Sequence, residues 1–191
     1  LSQNPRLERS SGVDMPSDVL VVTTAGSSAV DLETVFIAHY ARIARVLARL
    51  VHDQARAEEL AVDVFLKWSS HGRNSGDQAA GWLYRTAIRL GLDELRRQAR
   101  RERAIRFVGW WSRSPPTPEE VRTASETQRR VRAVLTSLRT RDAEMLVLRS
   151  DGSRYDEIAR LLEINPSSIG TLLGRAQRAF RQEYVRRYGH Q

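Results

Sequence analysis

From residue 32 onward, apolar residues recur every three or four positions, the spacing that gives a helix one buried stripe. Val35, Phe36, Ile43, Val46, Leu47 and Leu50 mark a first helix, with Asp31 placed to cap it. Asp53 precedes a second, running to about Ser69, in which Ala61, Val64, Phe65 and Trp68 fall at i, i+3, i+4 and i+7. A third is expected from about Asp77 to Arg103, with Leu83, Ala87, Ile88, Leu90 and Leu95 turned away from its charged side.

The pattern resumes after residue 121. Val131, Val134, Leu135 and Leu138 form one stripe, and Met145, Leu146 and Leu148 another that stops at the turn pair Asp151-Gly152. Ser153-Arg154-Tyr155-Asp156 has the form of a capping box, followed by Tyr155, Ile158, Ala159 and Leu162 at helical spacing. Asn165 can cap the next helix, with Pro166 at its first position. That helix is expected to bury Ile169, Leu172, Leu173, Ala176 and Phe180, and to turn Ser167, Thr171, Gly174, Arg175 and Arg178 outward. Two short helices, a tight turn and a basic outer face suit a helix-turn-helix whose second helix enters the major groove. An ordinary αα-hairpin is the alternative. Gly170 and Gly174 each cost about 1 kcal/mol of helix stability relative to Ala, which makes sense if backbone must approach another molecule closely.

No segment alternates with the period of a strand, so the fold class is all-α. Residues 105–121 include Pro115, Pro116 and Pro118 and read as a linker. They divide the chain into a mobile N-terminal tail over 1–30, a helical domain over 31–104 and a second over 122–191.

Composition narrows the function. The 191 residues carry 31 Lys+Arg against 23 Asp+Glu, a net charge of +8. The excess is divided, +4 over residues 32–104 and +6 over 122–191, around a neutral linker and an acidic tail. A polyanionic partner is therefore expected. The absence of cysteine removes disulfides, thiolate catalysis and Cys-ligated metals. No apolar run approaches the ~20 residues of a membrane span, and Val19 to Ala25 is too short and lacks a basic leader for a secretory signal. A cytoplasmic protein with no membrane insertion is expected. His39, His52, His71 and His190 form no ligand motif, and no phosphate-binding loop is present. No catalytic residue, cofactor or metal site is assigned.

Two faces invite a functional reading. On the third helix Arg85, Arg89, Arg96, Arg100 and Arg103 fall within an arc of about 60°, with Trp82 at its edge. This suits a surface that tracks phosphates and stacks a base, or a solvated basic face with Trp82 buried. On the second helix Glu58, Glu59 and Asp63 lie close together. They form a solvated face, a dock for a basic partner, or, as a rival reading, the carboxylates of a metal-dependent nuclease.

Three stretches resemble bacterial RNA polymerase sigma factors of the sigma-70 family, extracytoplasmic-function group. Ala57 through Trp68 is similar to the family's AEDLVQEVFLRLW helix, which docks on the polymerase. Gly81 to Ala87 and Leu92 to Arg97 are similar to WLYRIARNLALDYLRR, the helix that meets the promoter −10 element. Leu138 to Arg149, Tyr155 to Ala159 and Ser168 to Ala176 follow the helix-turn-helix that meets the −35 element. Arg89 stands where the family usually has Asn, Arg139 where Pro is frequent, and Glu163 where Gly is usual. The resemblance implies a transcription initiation factor with core RNA polymerase, promoter DNA and an anti-sigma factor as partners. It assigns Glu58, Glu59, Leu60, Asp63, Val64 and Leu66 to polymerase binding, and Trp82, Arg85, Arg89, Arg96, Arg97 and Arg100 to the −10 element. Ser167, Ser168, Thr171, Arg175 and Arg178 fall to the −35 element. A stand-alone helix-turn-helix regulator is the alternative.

Overall fold

The computed structural model describes residues 32–70, 77–109 and 126–189. The expected tail, the Asp31 cap, the proline run of the linker, and His71 and His190 lie outside the described residues. Seven α-helices and no strand occur among the described residues: α1 Leu32–Val51, α2 Gln54–Ser70, α3 Asp77–Gly109, α4 Glu126–Leu135, α5 Thr140–Ser150, α6 Tyr155–Leu162 and α7 Ile169–Tyr188. A 3-10 turn over Pro166–Ser168 leads into α7.

The first unit is α1, α2 and α3, and its core follows the stripe the spacing predicts except at Phe36, which is 37% exposed. Ile43, Leu47, Leu60, Val64, Leu83, Ala87 and Ile88 are fully or almost fully buried. Asp53 caps α2 by accepting the Arg56 N–H at 3.0 Å. Glu94 is buried on α3 and held by Arg56 across the unit at 2.9 Å and Arg97 at 3.3 Å. α1 and α3 approach closely at Gly91, where a Cβ would stand 2.9 Å from Leu50 Cδ1 and 3.1 Å from Leu47 Cδ2.

The second unit is α4 to α7. α6 ends on Glu163, which has the left-handed conformation φ 54, ψ 49. That geometry favours glycine, and a residue with a Cβ is held there at a cost of about 1 kcal/mol. The Asn165 side chain then accepts the Ser167 N–H at 3.0 Å, with Pro166 opening the turn as expected. The capping box at Ser153 does not form: α6 is preceded by Arg154, with no side-chain cap. Ser153 is instead buried, and its hydroxyl accepts from Arg42 of α1 at 2.7 Å.

That bond belongs to an interface the sequence does not announce. The two units pack together, and their buried apolar side chains form one continuous cluster. α3 meets α4, α5 and α6. At Gly81 of α3 an added Cβ would come 2.9 Å from the Leu161 carbonyl oxygen at the end of α6, so that contact requires the missing side chain.

Candidate nucleic-acid interface

α2 separates cleanly into two faces. At about 100° per residue, Glu58, Val62, Leu66, Glu59 and Asp63 share one arc, and all five are exposed. Leu60 and Val64 lie on the opposite side, 1% and 0% exposed, so they fix the helix against its neighbours and cannot touch a partner directly. Val62 was not picked out from sequence. At 42% exposed it lies on the acidic face beside Leu66, at 60%, and its position four before Leu66 was the signal available. Glu58 accepts from Gln54 at 2.6 Å and Glu59 from Arg56 at 2.7 Å. Among the described residues no group of three or more His, Asp or Glu could hold a metal ion.

The arginine stripe is more divided than its spacing suggests. Arg100 and Arg103 are exposed, and Arg96 is half-buried, donating to Asp93 at 2.7 Å and to the Thr136 carbonyl at 3.3 Å. Arg97 lies 3.3 Å from Glu94. Trp82 is half-buried against the core. Arg85 and Arg89 point into the second unit. Arg85 donates to the Leu161 carbonyl at 3.0 Å and to Glu163 at 2.8 Å, and Arg89 to Glu144 at 2.9 Å.

A further cluster sits beside them. The Arg42 guanidinium donates to Asp151 at 2.9 Å, to Glu157 and to Ser153, and lies 5.2 Å from the Tyr84 ring centre. Arg45 and Arg49 each stand 3.5 Å from the same Asp151 carboxylate, which is almost wholly buried. The hydrogen bond from Arg42 holds the Glu157 carboxyl below the ordinary glutamate range, and that to Glu157 in turn raises Arg42. His39, edge-on to Tyr84 with ring centres 5.9 Å apart, is lowered by burial and by the charges of Arg42 and Arg160.

α6 and α7 supply the helix-turn-helix. Ile169, Leu173 and Ala176 are buried, with Leu172 and Phe180 packed at the edge of the core. Ser167, Thr171, Arg175 and Arg178 are exposed and Ser168 is half-buried. The outer face is therefore the one expected. Nothing lies within 4 Å of the place a Gly174 Cβ would occupy, so the fold itself makes no demand for glycine there. Gly174→Ala is expected to stabilise the free protein by about 1 kcal/mol in urea titrations, while weakening binding to duplex promoter DNA if that face abuts the groove. Tighter DNA binding by the variant would show that the glycine serves no close approach.

With this geometry in place, two models of one family match the chain. The region described as "Sigma-70 region 2" matches residues 35–101, and "Sigma-70, region 4" matches residues 128–179. The chain belongs to the sigma-70 family. Within it, the chain is similar to ECF RNA polymerase sigma factor SigJ of Mycobacterium tuberculosis, at 30% identity over 148 residues. That alignment takes in 70% of this chain and 45% of SigJ, so the chain spans just under half the length of that relative. Among solved structures, sigma factor RpoE in complex with the anti-sigma factor NepR, from Bartonella quintana, is similar at 16% identity and a TM-score of 0.43. The match covers 80% of this chain and 96% of that one. No helix among the described residues is long and apolar enough to cross a membrane.

Proposed function

We propose that the protein binds core RNA polymerase and directs it to a subset of promoters. The carrying observation is the order of surfaces along the chain: an acidic and apolar face on α2, arginines on α3, and a helix-turn-helix with exposed Arg175 and Arg178 on α7. This is the order in which the two sigma-70 regions match. The two working units are those expected over 31–104 and 122–191, with the first carried on by α3 to Gly109, so the tether begins after Gly109 and not at residue 105. A tether raises the local concentration of the second unit once the first has bound.

In this reading Glu58, Glu59, Asp63, Val62 and Leu66 meet the polymerase, with Leu60 and Val64 holding α2 in place. Trp82 and the arginines of α3 receive the −10 element, where stacking a base released from the duplex offsets part of the few kcal/mol that unstacking costs. Ser167, Ser168, Thr171, Arg175 and Arg178 read the −35 element. The work is binding, with no reaction catalysed by the chain. It takes place in the cytoplasm, and an anti-sigma factor is the partner expected to restrain it.

Capture of purified core polymerase tests the docking face. Glu58→Lys with Asp63→Lys should lower capture by about tenfold or more, roughly 1.4 kcal/mol or above, with the circular dichroism melt unchanged. Glu59 is spared because it pairs with Arg56, which holds the buried Glu94. Undiminished capture would remove the docking assignment. Specific promoter binding by the parent protein without any affinity for polymerase would make it a stand-alone regulator.

A further inference from the structure

A groove of about 950 Å³ opens where α1, α4, α5 and α7 meet, near the upper end of the roughly 300–1,000 Å³ usual for small-molecule sites. Val46, Leu50 and Leu135 lie buried along its floor, with Val131, Leu146 and Phe180 partly buried beside them. Its charge is positive on balance. Arg49, Arg132 and Arg181 line it, and among the described residues the only acid on its wall is Asp151. That carboxylate is already held by Arg42, with Arg45 and Arg49 close by. Arg181 is exposed and has no ion pair among the described residues.

Arg132 differs from the other two. Its Nε donates to the Gln128 carbonyl of its own helix at 3.2 Å, but its Nη2 is buried and meets no hydrogen-bond partner. Burial and the charge of Arg129 lower the Arg132 pKa, and Glu102 opposes them only in part. A buried cationic donor left bare is costly, and an acceptor bearing negative charge removes that cost.

We propose that this groove binds a fatty acid, its carboxylate on Arg132 and its alkyl chain over Val131, Leu146 and Phe180. The site goes beyond the polymerase and promoter readings, since none of the residues lining it is assigned to either. The apolar floor offers no side-chain hydrogen bond to a sugar, a nucleotide base or a peptide backbone, so the body it suits is alkyl. Its three partly buried side chains still have surface to cover, and covering it is what drives the chain into the groove. Charge complementarity places the acid end, because the arginines left to the groove outnumber the one acid, which is already paired.

Calorimetric titration of the full chain with decanoate tests the assignment. Saturable one-to-one binding with a negative heat-capacity change is expected, and the melting temperature should rise with decanoate concentration. Octanoate should bind about fifteenfold more weakly, at about fourfold per buried methylene. Decan-1-ol, which has the chain without the charge, should bind about tenfold more weakly. Arg132→Met should fold at least as well as the parent, because it removes a bare donor and keeps the apolar stem. That variant should bind decanoate and decan-1-ol alike. Gln177→Trp supplies a second arm: Gln177 is exposed and lines the groove, so an indole there should obstruct it without entering the core. Affinity for both ligands should then fall at least tenfold. No saturable binding by the parent would overturn the proposal, as would decanoate affinity unchanged in Gln177→Trp, which would put the acid elsewhere. Equal affinity of the parent for decanoate and decan-1-ol would also overturn it, as would an Arg132→Met variant that keeps the preference. A dimer in sedimentation that Gln177→Trp abolishes and decanoate fails to dissociate would give the groove to a second copy of the chain instead.

Discussion

Arg42→Met should lower the unfolding free energy by about 2 kcal/mol, toward the low end for breaking a buried ion pair. The methionine keeps the apolar stem but leaves the buried Asp151 carboxylate without its 2.9 Å donor, and leaves Glu157 and Ser153 without theirs. The loss stays at the low end because Arg45 and Arg49 remain 3.5 Å from Asp151 and Arg42 is itself partly exposed. Urea titration at neutral pH measures it, and an unchanged midpoint would mean that the two flanking arginines suffice. The pH dependence has a definite sign. Glu157 is held below its ordinary range in the folded protein, so its contribution is complete above that range and is lost as pH falls through the depressed value. Groups facing it include Arg42 from α1, Ser153, and the backbone of Arg154. The parent should therefore lose stability on acidification over that interval more steeply than the variant, whose Glu157 has no arginine to lose.

A larger loss, about 3–4 kcal/mol, is expected for Leu47→Ala. Leu47 is fully buried in α1, and its Cδ2 lies against the position where Gly91 of α3 lacks a side chain. With no neighbouring Cβ to move inward, the hole stays open, which places the change in the upper part of the range for leucine truncation. Thermal or urea unfolding reads it directly. A loss under about 1 kcal/mol would show that α1 and α3 settle together across Gly91, as a core able to collapse does. Core-polymerase capture below the unfolding transition should survive, because α2 keeps its exposed face on any molecule that remains folded.

What could be read from sequence was whatever has a period or a cap. The stripe Ala61, Val64, Phe65, Trp68 placed α2, and Asn165 with Pro166 placed the entry to α7, because each signal lies within one turn of the helix it defines. Family resemblance added the roles of α2, α3 and α7. Neither route gave the seam between the units. Arg42 and Asp151 are 109 residues apart, and an ion pair at that separation leaves no pattern in either helix. For the same reason Arg85 and Arg89 looked like their neighbours Arg100 and Arg103 until the second unit was set against them. Ser153 follows the same rule: its sequence context is that of a cap, but burial at the seam gives its hydroxyl to Arg42. Leu60 and Val64 belong to the inner arc of α2, which a resemblance quoted as a contiguous string cannot distinguish from the outer one.

α3 is 33 residues long, a rod of about 50 Å at 1.5 Å per residue. One end carries Gly81, pressed against α6, and the other runs on to Gly109. A pivot of about 10° at the Gly81 contact would carry Gly109, about 42 Å further along at 1.5 Å per residue, through about 7 Å, roughly two steps of a base stack. The longest helix among the described residues would then act as a pointer, enlarging an adjustment of one carbonyl's width into a displacement of Gly109.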